Sequence, residues 1–162
     1  MLIREAAGDD WSTIWPVLQR NIAAGETFCC DRDMSEDRAR EAWFLQPPAR
    51  TVVAVDDQGA LVGIATIRPN HGGPAAHVAN ASFLVNPEHA GRGIGRALGA
   101  HVLGQARADG YRAMQFNAVV ETNTRAVALW RSLGFAVLAT VPEAFHHPVD
   151  GYVGLHIMHR RL

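Results

Sequence analysis

Between Val78 and Val102 the chain changes its period without a break. A run of strand type, Val78 to Val85 (VANASFLV), passes through Asn86-Pro87-Glu88-His89-Ala90-Gly91-Arg92-Gly93-Ile94-Gly95-Arg96 into a helix whose apolar residues Ile94, Leu98 and Val102 recur at four-residue steps. Three glycines at alternate positions, Gly91, Gly93 and Gly95, stand where strand becomes helix. Without Cβ atoms they let successive backbone N–H groups surround an anion, and the helix N-terminus adds its partial positive charge. Arg92 and Arg96 add mobile cations. A phosphate-rich ligand is the first hypothesis. The plainer reading is a tight turn in which the glycines serve only the chain reversal.

Two familiar phosphate-binding turns fit poorly. A Walker A loop ends in Gly-Lys-Ser/Thr, and this turn offers Gly95-Arg96-Ala97. The dinucleotide fingerprint would need glycine at Arg96 or Leu98, and it follows the first strand of a βαβ unit rather than the fourth strand of a chain.

The flanking segments supply a scaffold for such a turn. Leu2 to Glu5 reads as a short strand, and Asp9-Asp10 as the cap of a helix whose apolar face is Trp11, Ile14, Trp15, Leu18 and Ile22, with a kink expected at Pro16. Asp33 with Glu36 resembles a capping box opening a second helix through Trp43, before Pro47-Pro48. Thr51 to Val55 and Leu61 to Ile67, joined by an Asp56-Asp57-Gln58-Gly59 turn, form an antiparallel hairpin, and Arg68 to Ala75 is a surface loop. After the helix that follows the glycine turn, Ala113 to Val120 is a strand and Thr124 to Leu133 a helix closed by Gly134; Phe135 to Val141 and Tyr152 to His159 are strands. The implied class is α/β, with a mixed sheet, a parallel middle crossover and helices on both faces. At 162 residues, with 48% hydrophobic and 19% charged, one domain spanning 1–162 with one sizeable core is expected.

Charge and cysteine usage narrow the partners. The formal charge is −1 and the basic residues are scattered, so neither nucleic acid nor an anionic membrane is an expected partner. No apolar run approaches the ~20 residues of a membrane span, and the first residues lack the pattern of a signal peptide, so a cytoplasmic location is expected. Cys29 and Cys30 are adjacent, which favours reduced thiols. The eight histidines show no metal-binding spacing, so no metal is expected.

The glycine turn resembles motif A of the GNAT N-acetyltransferases, Arg/Gln-x-x-Gly-x-Gly/Ala, with Ala90 where that family usually has Arg or Gln. The segment Asn123 to Phe135 (NTRAVALWRSLGF) resembles the second CoA-binding helix of the same family. The likeness covers roughly residues 51–160 and is strongest over 78–135. It implies a GNAT fold, a mixed central sheet of about seven strands flanked by about four helices, and acetyl-CoA as co-substrate. It further implies that Gly91, Arg92, Gly93, Ile94, Gly95 and Arg96 hold the pyrophosphate. The strand edge Phe83, Leu84 and Val85 would pair with the pantetheine arm, and Asn123, Ala126 and Trp130 would line the cofactor. Self-association through the C-terminal strands, as a homodimer, is compatible with it.

Acetyl transfer needs a neutral amine, a polarised thioester carbonyl and a leaving thiolate that is stabilised or protonated. Where many members of the family carry a tyrosine acid, this chain has Trp130, whose N–H can donate a hydrogen bond but delivers no proton. Asn is depleted within strands, yet Asn80 and Asn117 lie inside two that should bracket the thioester. The alternative for each is a structural amide. The stretches around them resemble the fungal N-acetyltransferases that act on proline analogues such as azetidine-2-carboxylate, which implies a catalytic role for Asn80 and a substrate-carboxylate role for Asn117. Gly25-Glu26-Thr27-Phe28 resembles the corresponding region of the phosphinothricin-type acetyltransferases and marks Glu26 and Phe28 as a candidate acceptor wall, the alternative being a helix-linking loop with Phe28 in the core. Glu26, Glu121, His146 and His147 are the acid–base groups that could serve as a base if the fold gathers them. Three functions remain open: a small-molecule amine N-acetyltransferase, a protein or peptide N-acetyltransferase, and a non-catalytic acyl-CoA sensor.

Overall fold

The computed structural model describes residues 1–162. The strands are β1 (Leu2–Glu5), β2 (Arg50–Val55), β3 (Leu61–Pro69), β4 (Val78–Val85), β5 (Ala113–Val120), β6 (Ala136–His147) and β7 (Gly151–Arg161), and the helices α1 (Trp11–Ala24), α2 (Glu36–Trp43), α3 (Ile94–Ala108) and α4 (Thr124–Ser132). All seven strands join one sheet in the order β1-β2-β3-β4-β5-β7-β6. Every pairing is antiparallel except β4 with β5, which the crossover through α3 makes parallel.

Strand alternation divides the core between two faces. Val52 and Ala54 pack with Leu98 and Val102 of α3 and with Trp130 of α4. Val53 and Leu84 pack on the opposite side with Trp11, Ile14 and Leu18 of α1 and Trp43 of α2. Ile14, Leu18, Leu98 and Val102 are fully buried, so the four-residue spacing seen in the sequence is the spacing of the buried stripes. Truncating one such side chain to alanine costs about 2–5 kcal/mol in comparable cores.

Several boundaries differ from expectation for identifiable reasons. Asp10 does not cap α1 with its side chain. Its carboxylate instead accepts the Ala7 amide at 2.6 Å and both terminal nitrogens of Arg4, at 2.7 and 2.9 Å, closing the turn before the helix and holding the Asp10 pKa low. Helix α1 continues across Pro16 to Ala24. The cap of α2 is Ser35, whose hydroxyl accepts the Arg38 amide, and not Asp33; Glu36 instead accepts the Trp11 indole N–H at 2.9 Å. Gly134 follows α4 in the left-handed conformation expected of it, with φ 85°.

The largest difference is β6, which runs to His147 rather than stopping at Val141. Its ladder with β7 is irregular between Val141 and Phe145, where Glu143 has φ 51°, and it resumes with Phe145 opposite Val153. As the last strand of the sheet, β6 exposes Leu138 and Val141.

Candidate active site

Strands β4 and β5 pair only at Val78–Ala113 and Ala79–Met114, and beyond these two pairs they separate. The Asn86 N–H donates to Val62 O, and Val78 O accepts from the Asn70 N–H, so even-numbered backbone groups of β4 face β3. Those of Ala81, Phe83 and Val85 therefore face the gap. Leu84, expected at that edge, is turned away twice over: its backbone faces β3 and its side chain lies under α1.

At the far end of β4 the chain turns through Gly91 and Gly93, at φ 81° and 78°. These left-handed positions strain any L-residue with a side chain. No side chain caps α3, and none of the amides from Gly91 to Arg96 donates a hydrogen bond within the chain. Orphan amides are normal for a first helical turn; the glycines add two more in front of it and leave them clear. Gly95 serves packing, since a Cβ there would meet Leu129 Cδ2 at 3.1 Å. Ile94 is buried, so only its amide can meet a ligand. Arg92 and Arg96 are exposed, and Arg96 reaches the Ser132 hydroxyl at 2.8 Å.

The gap widens into a cleft of about 430 Å³ that passes through the sheet. On the α3–α4 side it is lined by Phe83, Asn123, Ala126 and Trp130, and on the α1–α2 side by Phe28, Met34 and Trp43. Phe28 meets Trp43 edge-on at 5.1 Å, so it is a wall of the cleft and a core contact at once. Trp130 packs against Phe83 and Phe116 with ring centroids 4.6 and 4.9 Å apart, which sets its orientation. Its N–H donates to nothing in the chain and is not sealed from solvent. Asn123 caps α4 through its Oδ1, which accepts the Ala126 amide at 3.2 Å.

The polar lining is concentrated where β4 and β5 begin to part. Asn80 and Asn117 both donate to Oδ1 of Asn70, at 2.9 and 2.7 Å, so one loop residue ties the two strands together across the gap. Asn117 Oδ1 in turn accepts from Gln115 Nε2 at 2.9 Å, which leaves Asn80 Oδ1 as the unspent acceptor of the pair. Arg68 stands opposite Asn80 in the β3–β4 register and lines the cleft. Burial pushes its guanidinium below the usual pKa. Neither Asn70 nor Arg68 is singled out by the sequence. Both fall in or beside a Pro- and Gly-rich loop, where polar residues are ordinary.

The acid–base candidates do not gather here. Glu26 is exposed and outside the cleft wall. Glu121 accepts the Gly154 amide at 2.5 Å, His147 Nδ1 accepts the Asp150 amide at 3.1 Å, and His146 stacks on Tyr152. No Asp, Glu or His lines the cleft itself; Asp31 and His146 line an adjoining pocket that shares Phe28, Cys29 and Cys30 with it. Cys29 and Cys30 do line it, but burial raises both thiol pKa values, which disfavours the thiolate a nucleophile requires. No three His, Cys, Asp or Glu side chains are grouped to hold a metal, and no helix is long and apolar enough to cross a membrane.

Comparison with known proteins agrees with this geometry. The profile of the family described as acetyltransferase (GNAT) matches residues 11–135. A GCN5-related N-acetyltransferase of known structure from Kribbella flavida is 52% identical, with 99% of this chain and 97% of that one covered and a TM-score of 0.96. N-acetyltransferase aca1 of Schizosaccharomyces pombe is 29% identical over 90% of this chain and 77% of its own length. The L-amino acid N-acyltransferase MnaT of Escherichia coli K12 is also 29% identical, over 88% of this chain and 84% of its own.

Proposed function

The chain belongs to the acetyltransferase (GNAT) family, and we propose that it transfers acetyl from acetyl-CoA to the amine of a small amino acid, imino acid or xenobiotic amine by direct attack on the thioester. One observation carries this reading. A cradle of unpartnered amides, Gly91 to Arg96, lies at one end of a parted strand edge, and the Asn70–Asn80–Asn117 cluster lies at the other. A ligand with phosphates at one end and a reactive group at the far end of an extended arm fits that pairing, and acetyl-CoA is such a ligand. The similarity to an L-amino acid N-acyltransferase supports an amino-acid acceptor.

Bound there, acetyl-CoA supplies a thioester carbonyl whose C–S bond breaks as the amine forms the new C–N bond, releasing the CoA thiolate. Backbone N–H groups of Phe83 and Val85, aimed into the gap, polarise the carbonyl oxygen. Asn80 Oδ1 accepts an N–H of the incoming amine and turns its lone pair toward the carbonyl. Asn117 and the Phe28 wall hold the acceptor. The Trp130 N–H donates to the departing sulfur; a thiol's unperturbed pKa of ~8.5 makes its thiolate a tolerable leaving group without an acid. With no carboxylate or imidazole lining the cleft, the amine proton passes to solvent.

The test is thiol release from acetyl-CoA with a panel of amino acids, azetidine-2-carboxylate, polyamines and a peptide amine, with CoA binding measured by calorimetry. Amine-dependent release that is lost in Asn80→Ala, with CoA affinity kept, is the expected result. Tight CoA binding without release for any amine would replace this reading with a sensor.

A further inference from the structure

Arg68 is the one charged side chain lining the cleft. It has no ion-pair partner and makes no side-chain hydrogen bond anywhere in the chain, although it is half-buried. Two of the other strand arginines are ion-paired, Arg4 with Asp10 and Arg50 with Glu5 and Asp109; Arg160 and Arg161 of β7 have no ion pair but lie outside the cleft wall. Withdrawing a cation from water without a counter-charge is unfavourable, and buried charges are ordinarily paired. The missing counter-charge has a defined place. Cross-strand partners share a face of the sheet, so Arg68 and Asn80 both project toward the α1–α2 side, where Phe28, Met34 and Trp43 line the cleft.

The CoA phosphates are a poor candidate for that counter-charge. The stretch of β4 from Asn80, opposite Arg68, to Val85, before the glycine turn, spans five residue steps, or roughly 17 Å of strand. The phosphate cradle lies beyond its far end, and its side of the cleft is the one lined by α4.

We infer that Arg68 is the anion anchor of the acceptor site, holding the carboxylate of an α-amino acid whose nitrogen rests on Asn80 and whose apolar side chain enters the Phe28–Met34–Trp43 wall. This rests on the chain being an amine N-acetyltransferase and specifies the charge its acceptor carries. A directly opposed pair of positions spaces carboxylate and amine by few bonds, which favours α-amino acids over ω-amino acids. A cleft with one cation and no anion also disfavours polycationic amines, such as polyamines or lysine-rich peptides, by like-charge repulsion.

The experiment compares leucine, methionine and proline with their carboxamides and with isoamylamine as acceptors, in the wild type, Arg68→Lys and Arg68→Met. In the wild type, kcat/KM referred to neutral amine should be about 100-fold higher for the free acids than for the carboxamides, as for loss of one partner of a buried charge pair. Arg68→Met should remove that preference by lowering the acids while leaving carboxamides and CoA affinity within about threefold, and Arg68→Lys should restore part of it. Equal use of acids and carboxamides by the wild type, with each rate referred to its concentration of neutral amine, overturns the inference while leaving the acetyltransferase reading intact, and needs no variant to fold. A CoA affinity that falls tenfold in Arg68→Met overturns it in favour of a cofactor contact. No release with any amine overturns the acetyltransferase reading and this inference together.

Discussion

The two ends of the cleft are made of different material. The end proposed to take the phosphates is backbone: free amides from Gly91 to Arg96, with left-handed glycines that keep their surroundings clear. The end proposed to take the acceptor is side chain: Arg68, Asn70, Asn80 and Asn117, contributed by two strands, a loop and a third strand that meet only in the folded sheet. A backbone site depends on local conformation and offers the same amides whatever the acceptor. A side-chain site depends on register and can change its acceptor by single substitutions without disturbing the cofactor. The division predicts that variants will separate cleanly into those that alter CoA binding and those that alter turnover.

The sharpest division should come from Asn80→Ala, with kcat lowered about 100-fold, comparable to a ~1 Å loss of positioning of the attacking amine, and CoA affinity by calorimetry unchanged. Gly93→Val should do the reverse. Forcing a β-branched residue into the left-handed region costs about 1–3 kcal/mol, so CoA affinity should fall about 10- to 100-fold, while the acceptor preference measured at saturating acetyl-CoA stays as in the wild type. Asn70→Ala tests whether the loop residue positions the other two. A tenfold fall in kcat is expected, about the worth of two weakened hydrogen bonds, with partial recovery in Asn70→Asp, which retains the acceptor oxygen. The pH–rate profile should rise along the ionisation of the acceptor amine and shift when an acceptor of lower amine pKa is used, because the cleft wall carries no carboxylate or imidazole. The smallest effect belongs to Glu26→Gln, at no more than about twofold in kcat/KM, as expected for an exposed carboxylate away from the cleft. A variant that moved both CoA affinity and acceptor preference would break the division.

The same contrast explains what could be read in advance. Gly91, Gly93 and Gly95 declare the cradle because a left-handed or closely packed backbone excludes other residues at the position itself. Asn80 and Asn117 stand out as amides in strands. Asn70 and Arg68 carry no such mark, since a polar residue in or beside RPNHGGPA is what any surface loop contains. Their roles arise from the β3–β4 register, which sets Arg68 opposite Asn80 and bonds the Asn70 amide to Val78. Glu26 was marked by sequence position and lies outside the cleft wall for the same reason in reverse: the loop after α1 directs Phe28 inward and leaves Glu26 to solvent. Strand β6 runs past the Val141 expected as its end because the tertiary pairing of Phe145 with Val153 carries it beyond Pro142 and Glu143.

That interruption in β6 bears on how the molecule behaves among its own copies. An outermost strand of twelve residues with Leu138 and Val141 exposed would ordinarily invite edge-to-edge growth. Pro142 has no N–H to offer, and the positive φ of Glu143 turns the next carbonyl and amide out of line. The rim is thereby divided at Pro142 and Glu143, two residues that line no part of the cleft, so the outer edge of the sheet does not run straight along its whole length.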